Sequence, residues 1–512
     1  MLLLRVRISN FKIKHMKHTL FSFLALFLLF VSGCSQKEDQ QDKKPNILLI
    51  IVDDQGYADF EPFKNHDPEI STPNMSRLAK AGTIYTQAYV TAPVCSPSRA
   101  GLNTGKNQFR WDKKAAWAPG LPDSVKTIAE YLKEAGYATA RIGKSDFGKN
   151  YFRFDVREYP LNHGYDHFLG FSAHAHDYWL NSEEIAKRTP DPKGTSAHLG
   201  PLMQNNGYKS YKDGYLTDIF TNEAIKYLKN NKDRPFFLTL SYNSVHHIIH
   251  EVPKKYLDKY NVKPIHNYDP DNMEAFNKRI KPGTYSAYYE KYTRIGAINV
   301  DDMRKYYLAN LNCLDDNIGK LLDAVKEEGL DKNTLIVFVS DNGGSPITGA
   351  NNAPLTAGKY SLWEGGIRVP MAVIYPGRVP AGKVDENYVS TLDILPTIAE
   401  AAGIKLNDET LDGKSLLSGN TDQERVLVWR WGNSWAIRKG DWKLTTAHGG
   451  WGKGPKPSAQ YIKPVTTAPG MKLFNLKNDP GEREDLAEKM PEKVAELQKE
   501  FDNWVAQNSG KY

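Results

Sequence analysis

Cysteine is scarce in this chain: Cys34, Cys95 and Cys313 are the only three in 512 residues. That excludes a disulfide-stapled scaffold and leaves stability to a hydrophobic core. A charge excess is missing as well. The formal net charge is +7, but Arg5, Arg7, Lys12, Lys14 and Lys17 all lie before residue 34. Beyond them 62 basic residues face 60 acidic ones, so nucleic acid has no global electrostatic attraction and only a local basic patch would grip an anion. Long apolar runs are absent apart from residues 20–31, which are too few to cross a bilayer. With 40% hydrophobic residues and a mean hydropathy of −0.55, the composition is that of a globular protein, not a transporter. Neither internal repeats nor low-complexity segments occur. The length suits one large core with a smaller second domain.

What is present begins with a targeting segment over 1–33. Basic residues precede the apolar run, as in a secretory signal. The run ends in Val31-Ser32-Gly33-Cys34, which resembles the bacterial lipoprotein cleavage box and makes Cys34 the expected lipidated residue and membrane anchor. An upstream start at Met1 with the functional one at Met16 fits the same pattern. Residues 34–44 read as a polar linker.

Residues 46–52 form a continuous apolar run ending in acidic residues, the signature of a central parallel strand. The spacing predicts a helix over 123–135, capped by Asp123 or Ser124 and ended by Gly136. Strands follow at 138–142, 235–242 and 334–340, with helices over 218–228 and 307–328. This alternation indicates an α/β fold with a large, mostly parallel sheet sandwiched by helices, over 45–420. Beyond it, short runs at 426–431, 434–438, 442–446 and 472–475, then an amphipathic stretch over 490–505, predict a C-terminal α+β domain over 421–512 with an antiparallel sheet. Residues 255–305, rich in Tyr, Lys and Asn without periodicity, read as a surface insertion near the substrate. Cys313 lies in an apolar helical stretch and is expected to be a buried free thiol.

Two polar clusters stand at strand ends, where α/β folds place ligands: Asp53-Asp54 after 46–52, and Asp341-Asn342-Gly343-Gly344 after 334–340. Taken singly, each is a turn or cap sequence. Brought side by side they offer three carboxylates and an amide oxygen, a donor set suited to Ca²⁺ or Mg²⁺ more than to zinc. The third element is Cys95-Ser96-Pro97-Ser98-Arg99-Ala100.

That hexapeptide resembles the signature of the type I sulfatases, of the alkaline phosphatase-like superfamily. Around it, Pro45 to Ile50, Asp53-Asp54, Gly56-Tyr57, Thr72-Pro73-Asn74, His163-Gly164-Tyr165-Asp166, Gly358-Lys359, Glu364 to Pro370 and Asp479-Pro480-Gly481-Glu482 fit the family's pattern in its order. The resemblance implies that a maturation enzyme oxidises Cys95 to formylglycine (3-oxoalanine). One hydroxyl of the hydrated aldehyde attacks sulfur and the other later expels sulfate. It implies a metal site of Asp53, Asp54, Asp341, Asn342 and the modified Cys95, holding Ca²⁺ in preference to Mg²⁺. Arg99 would hold the hydrated aldehyde, and Lys144 and Lys359 would stabilise charge on sulfate. A histidine would protonate the leaving alcohol: His246 counting from Pro235, His247 counting from Pro253. Outside the resemblance, Arg99 could simply cover a helix end and either lysine could be a solvated surface residue.

One departure stands out. The family commonly reads Gly-Lys-Trp-His-Leu-Gly, whereas this chain has Gly143-Lys144-Ser145-Asp146-Phe147-Gly148, placing Asp146 where a histidine usually contacts the gem-diol. His174 and His176, with Tyr178 and Trp179, would line a sugar subsite or form a packed aromatic loop. The expected protein is a sulfatase of a Gram-negative cell envelope, lipid-anchored on the periplasmic side or at the surface. It would remove sulfate from an algal glycan such as ulvan or carrageenan, or from a glycosaminoglycan. A phosphonate or phosphodiester hydrolase on the same scaffold, or a glycan-binding lipoprotein without catalysis, are the alternatives.

Overall fold

The run Asn46–Val52 becomes a strand with every side chain buried, because both faces of the sheet are covered. Leu48, Ile50 and Val52 enter one core and Ile47, Leu49 and Ile51 the other, the two-residue alternation of a pleated strand. Burying each such aliphatic side chain contributes about 1.5–3 kcal/mol. The structure, a computed structural model, describes residues 44–510 except 113–116, 194–196, 272–282, 294–296, 420–422 and 449–458. The signal segment, Cys34, nearly all of the linker and the expected domain junction at 420/421 lie outside the described residues.

Ten strands make one sheet: β1 (Asn46–Val52), β2 (Thr83–Tyr89), β3 (Ala138–Lys144), β4 (His167–Phe171), β5 (Leu202–Gln204), β6 (Gly207–Lys209), β7 (Phe236–Ser241), β8 (Thr334–Ser340), β9 (Arg368–Ile374) and β10 (Lys383–Ser390). Their order is β10-β2-β9-β8-β1-β7-β3-β4-β5-β6. The centre, β8-β1-β7-β3-β4, is parallel throughout. Antiparallel strands flank it, β9 between β8 and β2 on one side and β5-β6 on the other, while β10 pairs parallel with β2.

Helices cover both faces. Labelled in chain order, they are α1 (Cys95–Thr104), α2 (Ile128–Glu134), α3 (Leu216–Asn231), α4 (Val300–Glu327), α5 (Ile394–Ala401) and α6 (Pro491–Asn508). Residues of α3 and α4, among them Phe220, Leu228, Tyr307 and Leu311, pack on one side of the sheet. Residues of α1, α2 and α5, among them Leu102, Leu132 and Ile398, pack on the other. A separate antiparallel sheet of β11 (Val426–Trp431), β12 (Ser434–Lys439), β13 (Trp442–Thr445) and β14 (Lys472–Asn475) is covered by Leu497 and Phe501 of α6. This subdomain is tied to the main body through Lys443 of β13. Its ammonium, without exposed surface, lies 2.9 Å from Glu364 Oε1 and 2.8 Å from Glu482 Oε1. Among the described residues no helix is long and apolar enough to cross a membrane.

Three expectations need correction. The helix predicted over 123–135 starts at Ile128, and neither Asp123 nor Ser124 caps it. Thr127 does: its hydroxyl accepts from Glu130 N at 3.3 Å while Glu130 Oε2 accepts from Thr127 N at 2.8 Å, a reciprocal capping box. The helix predicted from 307 begins about two turns earlier, at Val300, under an Asn299 cap. The segment 255–305 has more regular structure than its lack of periodicity suggests: where described it contains the helix Tyr285–Thr293 and most of Lys254–Lys259, while Lys255, Lys263 and His266 stay exposed. Tyr268, Tyr285, Tyr288 and Tyr289 form a small core there with Ile248 and Leu199.

Candidate active site

The parallel register of β1 and β8 pairs Val52 with Ser340, so Asp53-Asp54 and Asp341-Asn342 emerge next to each other. Asp341 N donates to Val52 O at 3.0 Å and Asp53 N to Ser244 O at 2.9 Å, bringing in the loop after β7. Close packing sets the same edge. A Cβ on Gly143 would lie 1.9 Å from Ser241 O, and one on Gly343 would lie 1.9 Å from Gly365 O, so only glycine lets these strand ends approach and present Lys144 and Asn342. Helix α1 starts at Cys95, and Arg99 follows one turn on, on the same face. The positive end of the helix at Cys95 also favours an anion there.

All these side chains are buried, and they interlock by charge. Cys95 Sγ donates to Asp53 Oδ1 at 3.4 Å. Lys144 Nζ donates to Asp53 Oδ2 at 2.7 Å. Lys359 Nζ donates to Asp54 Oδ1 at 2.6 Å, to Asp54 Oδ2 at 2.8 Å and to Cys95 Sγ at 3.3 Å. Arg99 places Nε and Nη2 each 2.8 Å from Asp341 Oδ2, and its Nη1 donates to Ser241 Oγ at 2.6 Å. His246 Nε2 lies 3.8 Å from Asp54 Oδ2.

Burial raises the Asp53 carboxyl, but Lys144, Arg99 and Lys359 outweigh it and hold Asp53 below the ordinary value. Asp341 is pushed up to about 7 by burial and by Asp53, against Arg99 and Lys144. Burial, with Asp341 and Asp53 adding to it, pushes the Cys95 thiol well up. The thiol is therefore protonated at neutral pH, unlike a catalytic thiolate. Burial, with Lys359, Lys144 and His247 adding, holds His246 well below the usual imidazole value.

Single ligand atoms of Asp53, Asp54, Cys95 and His246 lie within 4.8 Å of one another. The neighbouring Asn342 donates from Nδ2 to Asp54 Oδ1 at 2.7 Å, while its buried Oδ1 meets no hydrogen-bond donor. An orphaned amide oxygen beside converging carboxylates fits a hard cation. The ligand atoms that converge include His246, and Asp341 is engaged by Arg99. Arg99 takes only Asp341 Oδ2; the other oxygen, Oδ1, accepts from Asp54 N at 3.3 Å, beside the converging carboxylates.

Asp146 sits at the edge of this cluster. It accepts from Ser96 Oγ at 2.5 Å, and it lies 3.2 Å from His174 Nδ1 and 3.3 Å from Lys144 Nζ. Burial works against its charge, but His174 and Lys144 hold its carboxyl well below the ordinary value. Its backbone is left-handed at φ 47°, as is that of Asp54 at φ 61°, a conformation that costs a non-glycine residue about 1–2 kcal/mol. The Tyr151 phenol, pushed up by burial and Asp146, stays protonated and shares a hydrogen bond with His174 Nε2 at 2.6 Å.

The structure thus gathers Asp53, Asp54, Cys95, Arg99, Lys144, Asp146, His174, His246, Asp341, Asn342 and Lys359. It does not bring His176 to them. That ring is buried against Phe171, with Nδ1 on Asp177 O at 2.9 Å, because the short pairing of Ala175–His176 with Ala197–His198 turns it inward. Tyr178 and Trp179 pack on Tyr215, as in the packed-loop reading. His247 faces Tyr289, with centroids 6.2 Å apart. Sequence reasoning missed Ser96, Tyr151 and Ser241. Ser96 lies inside the hexapeptide itself, but its one pointer is the proximity of Asp146, which only the fold creates.

Residues 45–404 match the Sulfatase family model, and residues 358–509 match that of N-sulphoglucosamine sulphohydrolase, C-terminal. The chain is similar to the N-acetylgalactosamine-6-sulfatase of Mus musculus, 27% identical over 90% of this chain and 85% of that one. It is similar to arylsulfatase J of Mus musculus, 28% identical over 89% and 74% of the two chains. Among solved structures it is similar to Ps i-CgsB in complex with k-i-k-neocarrahexaose, with 31% identity, coverage of 92% and 94%, and a TM-score of 0.71.

Proposed function

The chain belongs to the sulfatase family and is a sulfuric ester hydrolase; from that membership we propose that it removes sulfate from a sulfated polysaccharide or oligosaccharide of the carrageenan kind. One observation carries the chemistry. Three buried cations, Arg99, Lys144 and Lys359, converge with Asp53 and Asp54 on a Cys95 whose thiol is neutral. A neutral thiol in a cationic cradle is poorly placed as a nucleophile but well placed to be replaced by one that meets an anion. The carrageenan assignment is supported by the 31% identity to a protein solved with a neocarrahexaose.

In this reading Cys95 is converted by a maturation enzyme to formylglycine, which supplies a hydroxyl nucleophile when hydrated. Asp53, Asp54, Asp341 and Asn342 would hold Ca²⁺, or Mg²⁺ as second choice, which supplies Lewis-acid charge to the sulfate oxygens. The remaining work falls to the chain itself. Lys144 and Lys359 flank Cys95 and take up charge on the sulfate group, from positions fixed by Asp53 and Asp54 before substrate arrives. Arg99 holds Asp341 in place and adds positive charge below Cys95. His246, whose Nδ1 lies 3.3 Å from His247 O, would pass a proton through Nε2 to the leaving oxygen once bound sulfate offsets the charge of Lys359 and Lys144. Excluding water from the buried cluster strengthens each of these interactions. A lipid anchor at Cys34, at the periplasmic or outer face of a Gram-negative envelope, completes the proposal; membrane fractionation of a Cys34→Ser variant tests it.

The function itself is tested by incubating matured protein with carrageenan, ulvan and glycosaminoglycan oligosaccharides and with phosphodiesters, while following free sulfate and phosphate. Fastest sulfate release from carrageenan oligosaccharides is expected. A dominant phosphodiesterase rate, or glycan binding without sulfate release, would overturn the proposal.

A further inference from the structure

Aromatic rings from distant segments meet beside the Cys95 cluster. Trp117, 47% exposed, stands edge-on to Trp431 with centroids 5.1 Å apart. It is tilted against Tyr360 at 5.3 Å and edge-on to His174 at 6.1 Å. Two of these rings are directly tied to the reacting centre. Tyr360 follows Lys359, whose ammonium is 3.3 Å from Cys95 Sγ, and its own N donates to Pro93 O at 2.9 Å. His174 lies 3.4 Å from Ser96 Oγ. Trp431 is the last residue of β11, so the C-terminal subdomain reaches the same rim.

A half-exposed indole held by three neighbouring rings forgoes burial yet keeps one fixed geometry. That combination suits a surface prepared for a ligand. Among the described residues the other large aromatic with comparable exposure, Tyr208, is 50% exposed and packs on Phe154. The indole face is electron-rich and attracts the positively polarised C–H bonds of an apolar ring face, while anionic substituents would turn toward Lys144 and Lys359.

We propose that Trp117, buttressed by Trp431 and Tyr360, is a stacking platform for a pyranose ring of the sulfated glycan, and that the C-terminal subdomain thereby takes part in substrate selection. The proposal rests on the sulfated-glycan reading above. In a Cys95→Ala background, which binds without turnover, the Kd for a sulfated carrageenan hexasaccharide is measured by calorimetry. Trp117→Ala is expected to weaken binding about ten-fold, equivalent to about 1.4 kcal/mol. Trp117→Phe should recover part of the loss, and Trp431→Ala should weaken binding by a smaller factor. Tyr208→Ala, remote from the site, should leave Kd unchanged. An unchanged Kd in Trp117→Ala with an unchanged thermal midpoint overturns the platform while sparing the glycan reading. No binding of any sulfated oligosaccharide by the Cys95→Ala protein itself overturns both.

Discussion

Replacing Arg99 by methionine removes the cation that faces Asp341 while keeping an unbranched side chain in its place. The guanidinium has no exposed surface, sets two nitrogens 2.8 Å from Asp341 Oδ2 and a third 2.6 Å from Ser241 Oγ, and lies 3.5 Å from Asp53 Oδ2. Taking away one member of a buried ion pair costs about 3–5 kcal/mol, because the partner charge is left uncompensated. Asp341 has an escape. Burial and Asp53 already push its carboxyl up to about 7 with Arg99 present, so protonating it near neutrality costs little. The loss in Arg99→Met should therefore sit near the low end, about 3 kcal/mol at pH 6.

Above pH 7 the native site ionises Asp341 while the variant keeps it protonated, so the difference should widen by about 1.4 kcal/mol per pH unit. Urea unfolding at pH 6, 7 and 8 with a chelator present reads this directly. Arg99→Lys, which keeps the charge but not the fork, should lose less. A variant as stable as the parent, or a difference that does not change between pH 6 and 8, would refute the assignment of Arg99 as Asp341's counter-charge.

Other expectations follow from the same contacts. Lys359→Ala should lower kcat for sulfate release by about 10²–10³, the effect of removing one preorganised charge from a transition state; a change in KM alone would contradict this role. Asp146→Asn, isosteric but neutral, should cost about 10–100-fold in activity by releasing His174 and Lys144, and full activity would show that Asp146 only supports structure. Asp315 of α4 accepts from Met75 N at 2.8 Å and from Asn74 N at 3.1 Å, yet burial pushes it up to about 6 from 3.8. Its folded value is the higher one, so its stabilising contribution is complete below about pH 4 and lost as pH rises through about 6. Asp315→Asn should flatten that slope in urea midpoints, and an unchanged slope would show that another group titrates.

The strands that carry the site were legible because central parallel strands are apolar on both faces. Residues 46–52 and 334–340 stand out with no competing pattern, and the structure forms strands over the same residues. The polar clusters at their ends, Asp53-Asp54 and Asp341-Asn342, were legible too, as was the proximity of Cys95 through its family signature. Helix starts were less so. Asp123 and Ser124 are good caps in composition, but the reciprocal Thr127–Glu130 pair wins because it satisfies two backbone donors together.

Strands of three residues such as β5 and β6 are too short for any period to show. The tyrosine-rich segment looked solvent-facing because its phenols are polar. In the fold Tyr285 donates to Asp177 Oδ2 at 2.9 Å and Tyr288 to Glu251 Oε1 at 3.0 Å, which makes their burial affordable. The aromatic rim was invisible for a different reason: Trp117, Tyr360 and Trp431 are far apart along the chain and share no motif.

The central claim is that Cys95 is a precursor and not a working thiol. Mass spectrometry of the peptide spanning Cys95 tests it most directly, on protein made in a host that has the maturation enzyme and assayed for sulfate release in the same preparation. The account predicts the mass of an aldehyde in place of the thiol, with sulfate release proportional to the fraction converted. An unmodified Cys95 in protein that releases sulfate at full rate would contradict it.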